Sequence, residues 1–363
     1  MKWIWELKQW PNFEYNTQAI NSIERQFLLN IGSYRICYSN LDKKNQHQFL
    51  IEILTTEGLK SSKIEGEILR RESLQSSIQG HFGLKITNKH KNSQKEKGIA
   101  RALCDVYQTF NQPLTHETLW NWHQMIFNEW STLSRVGAYR NHPEDMQIIS
   151  RHLEGKIIYQ APTSKNVFKE MERFIHWYNT KGINQSHSIL VKASLVHLYF
   201  ECIHPFEDGN GRIGRLLIEK TLSQELGLPV LICVSKQIES GKKEYYSQLS
   251  KCNQTLNVQS WIEFFSNIIL KAQEESMALL NFIILKSKTL ERLKGQINQR
   301  QEKVLLKIFA QGPKGFLGGL SAENYISITK ASRATATRDL ADLVEKEVLI
   351  KTGELRYTRY WLK

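Results

Sequence analysis

Cysteine is scarce in this chain. The five present, Cys37, Cys104, Cys202, Cys233 and Cys252, are odd in number, scattered, and contain no CxxC pair. That spacing argues against a disulfide framework and fits reduced, mostly buried thiols in a cytosolic protein. Long apolar runs are missing too. The densest, Ala278 to Leu285, falls far short of the ~20 residues a spanning helix needs. The opening MKWIWELKQW lacks the apolar core of a signal peptide, so a cytoplasmic location with no membrane partner is expected. No internal repeat is visible. Acidic residues are in deficit, 36 against 49 Lys and Arg, for a formal charge of +13. This balance suits polyanionic partners such as nucleic acid or phosphorylated ligands, without choosing between them. A 41% apolar and 23% charged chain of 363 residues is long enough for two or three folded domains.

What is abundant is helical patterning. Lys44 to Thr56 places Phe49, Leu50, Ile53 and Leu54 on one face, and a second helix is expected from near Gly66 through Ile68, Leu69, Leu74 and Ile78. Lys85 to Lys97 reads as a polar, basic surface loop or a mobile helix entry. Thr115 can cap a helix through Trp120, Trp122 and Ile126. MQIISRHLEGKIIY, from Met146 to Tyr159, has two β-prone runs around Leu153–Glu154–Gly155 and reads as a hairpin. Helical signals return over Val167 to Asn179. Ile189, Ala193, Val196, Phe200 and Ile203 form one buried stripe. Ile213 to Leu226 follows as a helix capped by Gly227, and Trp261 to Leu285 as one or two more.

The most informative stretch is HPFEDGNGRIGR, residues 204 to 215. Gly209, Asn210 and Gly211 suit a turn whose N–H groups lead into the next helix, a ready anion site. Arg212 and Arg215, three apart, can reach the same anion. The loop thus looks built for a polyphosphate. The acids Glu207 and Asp208 make sense beside it if a divalent cation bridges a carboxylate to phosphate oxygens, as magnesium prefers. His204, with an ordinary pKa near neutrality, can accept a proton. His204 and Asp208 could instead ligate a transition metal, but no third ligand is evident nearby.

The same twelve residues resemble the Fic motif, HxFx(D/E)GNGRxxR, at every specified position. GAYR at Gly137 to Arg140, the Met146–Tyr159 hairpin and EYYSQL at Glu244 to Leu249 also look like features of that family. The resemblance implies a mainly α fold, a Fic helical core with a small β-hairpin flap. It implies transfer of AMP from ATP to a Ser, Thr or Tyr hydroxyl of a target protein or of the chain itself. By the match, His204 is the general base, Phe206 anchors the loop and Asp208 holds Mg2+. Glu207 and the cradle Gly209, Asn210 and Gly211, with Arg212 and Arg215, face the phosphates. Gly241 stands where relatives often carry a polar residue near the adenine; Tyr245 and Tyr246 remain to line that pocket. SSKIEG at residues 61 to 66 resembles the family's inhibitory motif as Ser61, Glu65 and Gly66, with Glu65 pairing with Arg215 where the γ-phosphate belongs.

Toward the C-terminus a helix, a Gly-rich turn, helices capped by Ser321 and Ser332, and a hairpin of Val348–Lys351 with Leu355–Leu362 resemble a winged helix-turn-helix. Arg333, Thr335, Thr337 and Arg338 would face DNA, and Lys351, Arg356 and Arg359 would lie on the wing. The expected organisation is an N-terminal helical region over 1–95, a catalytic core over 96–289, a linker helix over 290–303 and the winged module over 304–363. Trp3, Trp5 and Trp10 are read as packing residues. Expected partners are a target protein, DNA and a second copy of the chain as a homodimer. The alternative function is a DNA-binding regulator whose core senses nucleotide.

Overall fold

The computed structural model describes residues 2–84, 93–127, 132–149, 157–180, 188–313 and 315–363. Two short 3-10 turns precede α1 (Asn21–Ser39), α2 (Lys43–Ile64), α3 (Arg71–His81), α4 (Gln94–Thr109) and α5 (His116–Phe127). An antiparallel pair, β1 (Gln147–Ile149) and β2 (Ile157–Gln160), comes next. It is followed by α6 (Ser164–Thr180), α7 (Ile189–Ile203), α8 (Asn210–Leu226), α9 (Val234–Ser240), α10 (Lys242–Lys251) and α11 (Gln259–Arg292). Then come α12 (Gln299–Phe309), α13 (Ala322–Thr329), α14 (Arg333–Glu345), and a second antiparallel pair, β3 (Leu349–Thr352) with β4 (Arg359–Leu362). The mainly α expectation holds. Two compact units emerge, Met1–Tyr34 with Leu50–Ser276, and Arg35–Phe49 with Met277–Lys363.

The first unit is organised around α7. The sequence pattern suggested one buried stripe, but every residue of α7 except Ile189 and Glu201 is buried. A helix apolar on all sides belongs at the centre of a core, and each fully buried Leu, Ile or Phe there contributes roughly 1.5–3 kcal/mol. Its N-terminus is satisfied twice. Ser188 Oγ accepts from Val191 N, and Glu24 of α1 accepts from the N–H groups of Ile189 and Leu190. The N-terminal tryptophans pack against this core, as read. Trp10 meets Tyr199 edge-on at 5.0 Å and donates to Glu170, and Trp5 donates to the carbonyl of Gln160.

Several boundaries differ from the reading. Gly66 does not begin a helix; it ends α2, in the left-handed region at φ 88°. Residues 65–70 are non-helical, Ile68 is 93% exposed, and α3 starts only at Arg71. Asn210 and Gly211 are the first turn of α8 rather than a loop before it. Residues 290–303 are not one helix. α11 stops at Arg292, and Asn298 caps α12 by accepting from the N–H groups of Arg300 and Gln301. Leu355–Tyr357 is a 3-10 turn, so only Arg359–Leu362 pairs with β3. Residues 85–92 of the basic stretch and the Leu153–Glu154–Gly155 centre of the first hairpin lie outside the described residues.

Within the second unit, Val304, Ile308, Phe309, Tyr325, Ala336, Leu340, Leu343, Val348 and Tyr360 share one apolar core. The caps Ser321 and Ser332 form as expected. Asp339, buried on α14, accepts from Tyr325 Oη at 2.8 Å, Arg300 Nε at 2.9 Å and Asn298 Nδ2 at 3.0 Å. Buried carboxylates persist where such partners replace water, and this one ties α12, α13 and α14 together.

Candidate functional site

The site lies where α7 turns into α8. His204 is the C-cap of α7, at φ 50° and ψ 59°. A non-glycine residue in this left-handed region costs roughly 1–3 kcal/mol and persists only when its surroundings over-determine it. Those surroundings are visible. Phe206 N donates to Asn210 Oδ1 at 2.9 Å, and Asn210 Nδ2 returns a bond to the Phe206 carbonyl at 2.8 Å. Phe206 is fully buried and stacks on His123 of α5 at 4.3 Å. Arg140 N donates to the Pro205 carbonyl at 2.9 Å, and Arg140 Nε donates to the His204 carbonyl at 2.9 Å. The turn is therefore clamped from three sides.

Burial, with the nearby Arg140 charge, pushes the His204 imidazole down to about 4. It is uncharged at neutral pH, the form a base requires. Its Nδ1 is buried without a hydrogen-bond partner and lies 3.9 Å from the carboxyl of Glu201. Burial and the neighbouring Glu65 raise the Glu201 carboxyl to about 8. His123 is also neutral, pushed down to about 4 by burial. Its Nδ1 accepts from Gly137 N at 2.9 Å, which leaves Nε2 to donate toward the Asp208 carbonyl at 3.3 Å.

Beyond the turn, Gly209 begins α8 and Asp208 Oδ1 accepts from its N–H at 2.6 Å. The Asp208 side chain is 56% exposed. Glu207 faces another way: Ser134 donates to it through both N and Oγ, and Arg135 through N. The two arginines sit side by side on α8, with Arg212 side chain 4% and Arg215 2% exposed. Both are already engaged by the segment after α2. Arg215 donates to Ser61 Oγ at 2.8 Å, to the Ser61 carbonyl at 2.9 Å and to Glu65 Oε1 at 2.7 Å. Arg212 Nη1 donates to Glu67 Oε2 at 2.7 Å, and its guanidinium covers the Phe127 ring at 4.5 Å. Arg212 Nε is buried with no partner, an unsatisfied donor.

Local backbone explains this double engagement. Ser61 lies inside α2 rather than capping a helix, which aims its hydroxyl and carbonyl at α8. The left-handed Gly66 then reverses the chain, with the N–H groups of Glu65 and Glu67 both bonded to the Ser62 carbonyl at 3.1 and 2.9 Å. Two acids separated by one residue thereby meet two arginines separated by two. Gly211 allows the approach: a Cβ there would stand 2.4 Å from Glu65 Oε1. Burial alone would raise the Glu65 carboxyl, but the Arg215 guanidinium holds it below the usual range. Glu65 is thus ionised at neutral pH. Glu67 is also paired with Lys95 at 3.1 Å.

Of the two tyrosines, Tyr245 is buried and shares a 2.7 Å hydrogen bond with His197 Nε2, while Tyr246 is 45% exposed. Lys242, not singled out from sequence, donates to the Ile64 carbonyl at the end of α2. The hairpin is anchored by Tyr159, whose hydroxyl donates to the Cys202 carbonyl at 2.5 Å. It leaves Ile148 and Ile149 of β1 exposed. Glu67, Glu201, His123 and the role of Arg140 were missed by sequence reasoning. Only the acid two places after Glu65 left a trace that a reader could have followed.

A single exposed carboxylate, Asp208, next to the Gly209 N-cap of α8 would fit a magnesium ion that takes its other ligands from water and substrate. Among the described residues no group of three or more His, Cys, Asp or Glu side chains is placed to cage a metal. Likewise, among them no helix is long and apolar enough to cross a membrane.

Comparison with known proteins places these features. Residues 113–222 match the Fic/DOC family, and residues 3–84 match a domain of unknown function, DUF4172. Among curated relatives, the protein adenylyltransferase Fic of Drosophila mojavensis is 35% identical over 97 residues, 27% of this chain and 18% of its own length. That of Drosophila grimshawi is 35% identical over the same extent and 19% of its own length. The chain thus spans about a fifth of the length of these relatives. Among solved structures, a Fic family protein from Desulfovibrio desulfuricans is similar with a TM-score of 0.58 at 21% identity, covering 97% of this chain and 98% of that one. A Fic domain-containing signalling protein from Bacteroides thetaiotaomicron gives 0.54 at 21% identity, covering 72% of this chain and 95% of the other. With the motif turn, the hairpin and the helical core of one fold in place, the chain carries a domain of the Fic/DOC family.

Proposed function

We propose that the protein is an adenylyltransferase that moves AMP from ATP to Ser, Thr or Tyr hydroxyls of a target protein or itself. One observation carries the reading: a neutral histidine closes α7 six residues before α8, the helix whose two buried arginines are each paired with an acid. His204 takes the acceptor hydroxyl's proton as the oxygen attacks the α-phosphorus and pyrophosphate leaves. The N–H groups of Asn210 and Gly211, joined by that of Gly209 once it leaves Asp208 Oδ1, hold phosphate oxygens at the positive end of α8. Arg212 and Arg215 neutralise the outer phosphates. Phe206 keeps the turn in place, and Glu207 braces it through Ser134. Asp208 is the residue that would hold Mg2+, which supplies charge neutralisation on the phosphates. Tyr246 and the buried Tyr245 border the base side. The exposed β1 edge suits main-chain pairing with a target segment.

The same reading includes a brake. Glu65 on Arg215 occupies the place of the γ-phosphate, with Ser61 and Gly66 setting the geometry. Glu67 adds a second acid on Arg212. Replacing Glu67 with Gln removes one charge-assisted bond from a partly exposed pair. Such bonds at surfaces are worth up to ~1 kcal/mol, so calorimetry with ATP and Mg2+ is expected to show affinity rising about two- to fivefold. An unchanged affinity would remove Glu67 from the brake. Transfer itself is tested by comparing radioactive-ATP labelling of the parent chain with its Glu65→Gly variant.

A separate reading concerns the second unit alone. Arg333, Thr337 and Arg338 are exposed on α14, with Thr335 at its first turn. Helix, turn, helix and hairpin follow in the order of a winged helix, and the exposed cations support duplex DNA as a partner. Binding to duplex DNA is expected to weaken about tenfold or more as salt rises from 50 to 200 mM, in line with several phosphate contacts. Binding indifferent to salt, or none, excludes it. The regulator alternative draws no support from the site, since a sensor would not need the base that His204 is proposed to supply.

A further inference from the structure

Arg140 is a buried cation that faces no acid. It is 2% exposed, and among the described residues no carboxylate pairs with it. Its donors end instead on oxygens of two separate segments. Nε donates to the His204 carbonyl at 2.9 Å and Nη2 to the Ile203 carbonyl at 3.4 Å, while its main-chain N–H takes the Pro205 carbonyl at 2.9 Å. Three consecutive carbonyls of the turn that carries the imidazole are therefore held by one residue. The other arm reaches the segment leaving the flap strand. Nη2 donates to the Pro162 carbonyl at 2.5 Å and Nη1 to Ser164 Oγ at 3.1 Å, at the start of α6.

This placement answers a question left by the turn. His204 sits in a left-handed conformation without being glycine and immediately before a proline. Both features disfavour an α-type backbone. A planar fork with five fixed donors can pin several carbonyls at once, which a lysine cannot. Burial lowers the guanidinium to about 10, so it stays charged at neutral pH.

We propose that Arg140 is a positioning residue that locks the His204 turn to the exit of strand β2, fixing where the imidazole stands relative to the hairpin. The proposal rests on the transferase reading for its effect on rate but not for its effect on geometry. Arg140 donates to none of Gly209, Asn210, Gly211, Arg212 or Arg215, so the larger effect is expected on the imidazole. A misplacement of about 1 Å in a reacting group costs on the order of a hundredfold in rate.

The experiment introduces Arg140→Gln and Arg140→Lys into the Glu65→Gly protein. Self-labelling rates, ATP affinity by calorimetry and a crystal structure of each variant are then measured. Both variants are expected to lose roughly a hundredfold in kcat while ATP affinity stays within about threefold. In the Arg140→Gln structure, His204 leaves the left-handed region. A kcat within threefold of the parent overturns the proposal, as does a loss of ATP affinity that accounts for the whole fall in rate. Should these variants fail to fold, Ser164→Ala removes one anchor of the fork, and an unchanged kcat there counts against it equally. If the Glu65→Gly parent transfers no AMP, the transferase reading falls. His204 retaining its conformation in Arg140→Gln then still overturns the positioning claim, and its departure still supports it.

Discussion

Glu65→Gly is expected to raise self-labelling from radioactive ATP about 10- to 100-fold. The estimate follows from what must be displaced. Glu65 Oε1 lies 2.7 Å from Arg215 Nη2 in a pocket where the arginine side chain is 2% exposed. A hydrogen bond between charged groups contributes about 1.5–3 kcal/mol, and each ~1.4 kcal/mol is a factor of ten in occupancy. The arginine does not collapse when the acid goes. Ser61 still accepts from Nε and Nη2, so the guanidinium keeps its aim. It is left buried with its charge uncompensated, a costly state. The variant's melting temperature should therefore fall without nucleotide and recover more than the parent's when ATP and Mg2+ are added. Equal labelling of the two proteins would dispose of the brake. A rise limited to a few-fold would instead locate most of the restraint in Glu67.

His204→Ala, made in the same unbraked background, is expected to lower transfer by about 10²- to 10⁴-fold, the usual contribution of a positioned base. ATP affinity should change little, because the phosphate-facing donors belong to α8 and the imidazole lies at the end of α7. Measuring both quantities on one preparation separates two failures. Loss of labelling with retained ATP binding is the result expected of a base. Loss of both would mean that the imidazole supports the turn itself. Full labelling would assign proton removal to another group, and the transferase mechanism would need a different acceptor.

The fold was legible where sequence signals were local and strong. α7 was found to the residue because apolar residues recur at spacings of three and four from Ile189 to Ile203. The Ser321 and Ser332 caps were legible because serine ahead of a helical run is a favoured N-cap. Legibility failed where a single backbone angle decided the outcome. Gly66 can open a helix or close one, and only packing against α8 selects closure. Asn210 and Gly211 have poor intrinsic preference for a helix, yet they form its first turn, where no intrahelical N–H bond is lost and the Asn210 side chain is tied to the Phe206 backbone. At the site, the motif announced His204, Phe206, Asn210 and both arginines. The roles of Glu67 and Arg140 were not legible, although both residues lie in or beside stretches the sequence singles out, since each acts on the motif across more than 60 residues of chain and no local spacing carries that pairing.

The reversal at Gly66 has a quantitative consequence for control. In the proposed brake both acids are tethered a few residues from the end of α2, so they would meet the arginines at an effective concentration set by the tether and not by the amount of protein. Short tethers place such groups in roughly the millimolar range or above. On that proposal dilution would not relieve the block, and free carboxylates in solution would not deepen it. Relief would come from something that pulls the end of α2 away, or from a nucleotide abundant enough to outcompete a neighbour that never diffuses off.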